Sequence, residues 1–127
     1  ESILNQSFGD FEFIIINDGS TDNSADIIES YNDSRIRFLN YSENKGYTNR
    51  LNEGLKIARG RYIARMDADD ISIKNRFQKQ FDFLENHPEI SLCGSFIRFI
   101  GNVTTYKNWV NDTDHEPLKI GLLFNNV

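Results

Sequence analysis

The sequence predicts an α/β domain with a largely parallel sheet, and three observations carry that prediction. Short apolar runs alternate with stretches of helical periodicity along the chain. No internal repeat or low-complexity linker interrupts the alternation. Two acidic clusters, at 18–22 and 67–70, fall at the ends of apolar runs. In parallel sheets that is where ligands collect, outside the carboxyl ends of the strands.

The elements follow in order. "ESILNQSF" (1–8) opens as though already inside a helix. "FEFIIIN" (11–17), after the turn-like "FGD", reads as a buried strand. "DGSTDNS" supplies turn and cap residues, with Ser20 or Thr21 as the N-cap, and "ADIIESY" then spaces Ala25, Ile28 and Tyr31 for a helix. "RIRFLN" (35–40) alternates as a strand does, Ile36 and Phe38 on one face and Arg35 and Arg37 on the other. Residues 46–59 put Leu51, Leu55 and Ala58 on one helical stripe, and Gly60 is a natural stop. "RYIARMD" (61–67) is the next strand. Residues 74–86 form the clearest helix, with Phe77, Phe81 and Leu84 in register and "HP" at 87–88 closing it. "ISLCGSFIRFI" and "VTTYKNWV" read as paired strands about the "GN" turn at 101–102, and 115–124 is weakly helical.

Length and composition narrow the classes. A chain of 127 residues fits one domain, residues 1–127, and 39% hydrophobic with 26% charged residues reads as globular rather than disordered. The net charge of −5 argues against gripping nucleic acid or an anionic membrane through bulk charge. A phosphate-bearing ligand must then be met locally, by a metal, a few cations or backbone N–H groups. The single cysteine, Cys93 in "ISLCGSF", allows no intrachain disulfide and reads as a small core residue. The expected location is the cytoplasm, or the cytoplasmic face of a membrane reached indirectly. Oligomeric state is left open. Glu1 at the start and the apolar "IGLLFNNV" at the end suggest a piece of a longer polypeptide.

Three stretches bear chemistry. In "DADD" (67–70), carboxylates at i and i+2 leaving a strand can share a hard cation with a diphosphate. The competing reading is that Asp at a βα turn caps the next helix, and Asp70 is the member that fits it best. In "NDGSTDNS", the spacing Asp18, Ser20, Asp22, Ser24, Asp26, Glu29 imitates a calcium loop. Asn23 holds the place where that loop needs Gly, and a strand precedes it, so calcium is excluded. What is left is a turn, with Asp18 as an acceptor for a ligand N–H. In "ENKGYTNRLNEG", the Gly46 loop before a helix can bring backbone N–H groups towards an anion, although it fits neither the Walker nor the dinucleotide pattern. His87 and His115 stand isolated and are not read as ligands. Tyr106 and Trp109 are read as packing.

Together, "ESILNQSFGDFEFIIINDGSTDNSADII" and "NKGYTNRLNEGLKIARGRYIARMDADD" resemble the inverting family 2 glycosyltransferases. The likeness runs in order, with the family's spacing, from residue 1 to about residue 100. It implies the GT-A fold, a Rossmann-like, mostly parallel mixed sheet flanked by helices, here truncated at both ends. It also implies a nucleotide-sugar donor, usually a UDP sugar, a divalent Mn2+ or Mg2+ ion, and a saccharide or lipid-linked acceptor, as in polysaccharide biosynthesis. By the resemblance, Asp18 accepts from the nucleobase, Asp67 faces the ribose and diphosphate, and Asp69 is the metal ligand. Gly46 and Arg65 are further candidates for donor binding. The family usually carries Arg directly before the Asn of the "N-x-G" helix. This chain has Leu51 there and Arg50 one residue earlier, so the family's Arg contact has no direct counterpart, and Arg65 is a candidate substitute. The family's first strand would precede residue 1 and lie between 11–17 and 61–67. The general base, normally an Asp of the acceptor-binding half, is expected beyond Val127, and no catalytic residue is identified within the chain. The chain by itself is therefore expected to bind donor without transferring sugar.

Two other readings are open to the sequence. One is a non-catalytic nucleotide-sugar-binding module. The other is a haloacid-dehalogenase-type phosphatase using Asp67 as nucleophile and Asp69 as acid/base. Against the second, Ile71 holds the usual Thr/Val place and no downstream Lys with an acidic pair is evident.

Overall fold

Phe13–Asp18 forms strand β1, whose three consecutive isoleucines suit a strand covered on both faces. It pairs in parallel with β2, Ile36–Tyr41, in a register that sets Phe13 opposite Ile36 and Asp18 opposite Tyr41. The computed structural model describes residues 1–101 and divides the chain into two units, Glu1–Glu85 and Asn86–Val127. Both acidic clusters lie in the first.

Helix α1, Ser24–Glu29, connects the two strands and packs beside β2. It starts later than its turn residues suggest. Asn23 is the N-cap, without a side-chain cap bond, while Asp22 Oδ1 accepts the Ser24 N–H at 3.0 Å. Helix α2, Tyr47–Ile57, packs on β1. Its inward face is Arg50, Glu53, Gly54 and Ile57, one residue away from the expected stripe, and Leu51 and Leu55 are exposed. Two local features set that rotation: Arg50 turns in to an ion pair, and Gly54 admits Ile16. A Cβ on Gly54 would stand 3.3 Å from Ile16 Cδ1. At the far end of α2, Arg37 Nη1 donates to the Ile57 carbonyl at 3.0 Å and to Glu12 at 2.7 Å. A cation thus meets the negative end of the helix.

Helix α3, Arg76–Asn86, follows the expected periodicity, with Phe77, Phe81 and Leu84 half-buried. Phe77 meets Phe11 edge-on at 5.3 Å, and Phe81 lies against Phe8 and Tyr62. Residues 1–8 make one turn rather than a helix, closed by the Asn5 N–H on the Glu1 carbonyl. That turn fastens the stretch after Asp70. Gln6, buried, donates to the Ile73 carbonyl at 2.8 Å and accepts the Phe77 N–H at 3.0 Å, while Ser72 N–H reaches Ser2 Oγ at 3.1 Å.

The strand expected at 61–67 is not formed. Among the described residues the sheet has two strands, and 61–67 joins no ladder with β1 or with any other segment. An apolar run supplies faces to bury, but a strand exists only through a neighbour's N–H and C=O groups. In the second unit, "ISLCGSFIRFI" carries one isolated bridge, at Ile97, instead of a strand. Its expected partner "VTTYKNWV" and the weak helix at 115–124 lie outside the described residues.

Candidate functional site

Asp18 ends β1, and Gly19 after it takes φ 78°, a left-handed turn that sends the chain across the loop at 42–46. The approach is close: a Cβ on Gly19 would lie 2.9 Å from the Asn44 nitrogen. Across this gap the Asp18 carboxylate gathers three donors. Oδ1 accepts the Lys45 N–H at 2.9 Å and Arg50 Nε at 2.6 Å, and Oδ2 accepts the Gly46 N–H at 2.8 Å. The backbone N–H of Lys45, with Arg50 and the Gly46 N–H, holds the Asp18 carboxyl below its ordinary range. The Gly46 loop does present its N–H groups to an anion, and that anion is internal. Gly46 itself, at φ 87°, is the N-cap of α2.

Arg50 is the site residue that the sequence did not reveal as such. It is only 7% exposed, and its guanidinium carbon lies 3.6 Å from the centre of the Tyr41 ring. Nη1 donates to Glu53 Oε2 at 3.0 Å and Nη2 to the Glu43 carbonyl at 2.9 Å. The Tyr41 hydroxyl closes the ring of contacts on Glu53. Asn17, buried below, donates to Asn40 Oδ1 at 2.8 Å and accepts the Ser20 N–H, fixing the two strand ends together. Two signals were available in the sequence: an aromatic residue closing β2, and an Arg with Glu three residues on, a spacing that faces one side of a helix.

The second cluster is open. Asp67, half-buried, accepts from Arg65 at 2.5 Å and from the Tyr47 hydroxyl at 3.3 Å, and Arg65 also donates to Tyr47. Arg65 thus lies at the sequence-predicted site, bound to Asp67, while Tyr47 at the start of α2 ties that cluster to the Asp18 corner. Asp69 is exposed, and its carboxylate has no partner among the described residues. Asp70 caps no helix, contrary to the cap reading, since α3 begins at Arg76. Its N–H instead closes a turn on the Asp67 carbonyl at 3.3 Å. No group of three or more His, Cys, Asp and Glu side chains poised for a metal occurs among the described residues.

The family model for glycosyl transferase family 2 matches residues 1–123. This chain belongs to that family. Membership carries the GT-A fold class, of which the parallel β1–β2 pair with flanking helices is a part. Among relatives, an uncharacterized glycosyltransferase of Methanocaldococcus jannaschii is 43% identical over 109 residues, covering 81% of this chain and 38% of that protein. An uncharacterized glycosyltransferase of Haemophilus influenzae is 37% identical over 136 residues, covering 98% of this chain and 42% of its own length. A third, from Escherichia coli, is named UDP-Glc:alpha-D-GlcNAc-diphosphoundecaprenol beta-1,3-glucosyltransferase. It is 42% identical over 85 residues, 67% of this chain and 34% of that protein. The chain thus spans about two fifths of the first two relatives. The family match leaves the phosphatase reading of Asp67 and Asp69, and that of a non-catalytic module, without support. No helix among the described residues is long and apolar enough to cross a membrane.

Proposed function

We propose that this chain is the donor-binding part of a family 2 glycosyltransferase that takes a UDP sugar and passes the sugar, with inversion, to a saccharide or lipid-linked acceptor. The observation that carries the reading is the contrast between two carboxylates of the first unit. One carboxylate, Asp18, is held by three donors of the protein, and another, Asp69, is exposed without a partner among the described residues. The Escherichia coli relative, whose name specifies a UDP-glucose donor and a diphosphoundecaprenol-linked acceptor, supports the donor and acceptor classes.

Asp18 orients the base by accepting one N–H from it, and Gly46 shapes the loop beside it. Asp67, whose Oδ1 already takes Arg65 and Tyr47, suits the ribose and diphosphate side better than the role of free metal ligand. Arg65 places a cation where the diphosphate would lie. Asp69 fits a divalent ion, because a lone exposed carboxylate plus substrate phosphates is a common way to hold Mg2+ or Mn2+. When bound, the ion offsets the charge of the departing nucleotide. The role assigned to this chain is donor binding, and transfer to an acceptor by this chain alone is not expected. A lipid-linked acceptor would set the working place at the cytoplasmic face of a membrane.

Thermal melting against a panel of nucleotide sugars, each with and without Mn2+, tests the reading. UDP sugars are expected to raise the melting temperature more with Mn2+ than without it, through ligand linkage. Equal stabilisation by all nucleotides, or none by any UDP compound, would overturn it, as would rapid glycosylation of an acceptor by this chain alone.

A further inference from the structure

We infer that Arg50 is a positioning residue for base selection, fixing the Asp18 carboxylate so that a single Oδ2 direction faces the ligand. The inference rests on the reading that Asp18 meets the nucleobase. It goes further in naming what makes that carboxylate selective.

The guanidinium is held on three nitrogens and one face. Nε binds Asp18 at 2.6 Å, Nη1 binds Glu53 at 3.0 Å, Nη2 binds the Glu43 carbonyl at 2.9 Å, and Cζ lies over the Tyr41 ring, 3.6 Å from its centre. A buried planar fork tied to β1, the 42–46 loop and its own helix cannot swing out to a ligand without breaking those bonds. Its influence must pass through Asp18.

Acceptor capacity shows how. A carboxylate offers about four lone-pair directions, two on each oxygen. Oδ1 receives two donors, Lys45 N–H and Arg50, and Oδ2 receives one, Gly46 N–H. One direction, on Oδ2, is left. A base that presents a ring N–H there, as uracil does, completes the set. A base that presents a ring acceptor nitrogen, as cytosine does, sets lone pair against lone pair, an unfavourable contact that discriminates. Without Arg50, Oδ1 regains a free direction and the carboxylate can rotate to accept from the amino group of the wrong base.

Calorimetric titration of UDP and CDP in the presence of Mn2+ tests this on the parent chain, Asp18→Asn, Arg50→Met and Arg50→Lys. The parent is expected to prefer UDP. Arg50→Met should weaken UDP binding about tenfold, the size of one charge-assisted hydrogen bond, and bring the UDP:CDP ratio towards one. Arg50→Lys, which keeps a cation beside Oδ1 but not the fork, should lie between, its ratio lowered about threefold. A parental ratio in Arg50→Met, with UDP binding lost in Asp18→Asn, would overturn the role of Arg50 while leaving that of Asp18 intact. Undiminished UDP binding by Asp18→Asn would overturn the base-recognition reading, and this inference with it. If Arg50→Met does not fold, the Arg50→Lys ratio decides: lowered supports the inference, and parental overturns it.

Discussion

The Asp18 corner and the 65–70 segment both end in aspartates, yet they are built in opposite ways. At the corner, one carboxylate meets two backbone N–H groups and a buried Arg, and its neighbours Tyr41 and Glu53 close around that Arg. In the 65–70 segment Arg65 and the Tyr47 hydroxyl both go to Asp67, and the Asp69 carboxylate has no partner among the described residues. The first region carries its own counter-charge and is organised before any ligand arrives. The second leaves negative charge exposed, which favours an external cation over a folded-in partner. A donor carrying a base at one end and a diphosphate at the other needs both kinds of surface.

The largest expected effect breaks the open side. Asp69→Asn should remove the gain in UDP affinity that Mn2+ provides, a loss of at least about tenfold for a charged contact. Its melting temperature should match the parent's, because no protein partner is lost. Equal UDP affinity with and without Mn2+ in the parent, measured by calorimetry, would erase the distinction between the two regions.

A smaller effect probes the closed side through stability. Gly19→Ala forces a side chain into the left-handed region and within 2.9 Å of the Asn44 backbone. A cost of about 1–3 kcal/mol is expected in denaturant unfolding, with UDP binding weakened as well, since Asp18 is adjacent. An Ala variant as stable as the parent would mean that the 42–46 loop yields easily and the corner is less rigid than its hydrogen bonds imply.

The smallest effect is graded with pH. Glu12 is lowered from 4.5 to about 2 by the Arg37 side chain and the Arg59 N–H, Asp33 is lowered from 3.8 to about 2 by Arg35, and Asp18 is lowered as described. Carboxyls depressed in the folded state contribute stability that is fully present above their unfolded values and is lost as pH falls through the folded ones. The melting temperature should therefore be level near neutrality and decline between about pH 4.5 and 2. Glu12→Gln should melt lower than the parent near neutrality, with a shallower decline, and parallel profiles would remove Glu12 from the account.

Much of this is legible in the sequence. β1, β2, α2 and α3 fall within a residue or two of their apolar patterns, and the acidic clusters stand where strand-end logic puts them. The one-turn start at 1–8, the unformed strand at 61–67 and the rotated face of α2 were not legible. Each depends on a partner distant in sequence: Lys74 and Ile73 for the first turn, a neighbouring ladder for the strand, Asp18 and Ile16 for the helix face.

By itself, the sequence determined the order of elements, the family and the positions of the aspartates, because periodicity, turn chemistry and motif spacing are properties of near neighbours. Only the tertiary structure decided which aspartate is already answered and by what. Arg50 lies 32 residues from Asp18 and finds it because β1, the 42–46 loop and α2 converge at one corner. Arg65 pairs with Asp67 two residues away, but Tyr47, which contacts both, comes from the start of α2. Charge is written in the chain, and its compensation depends on distance in space.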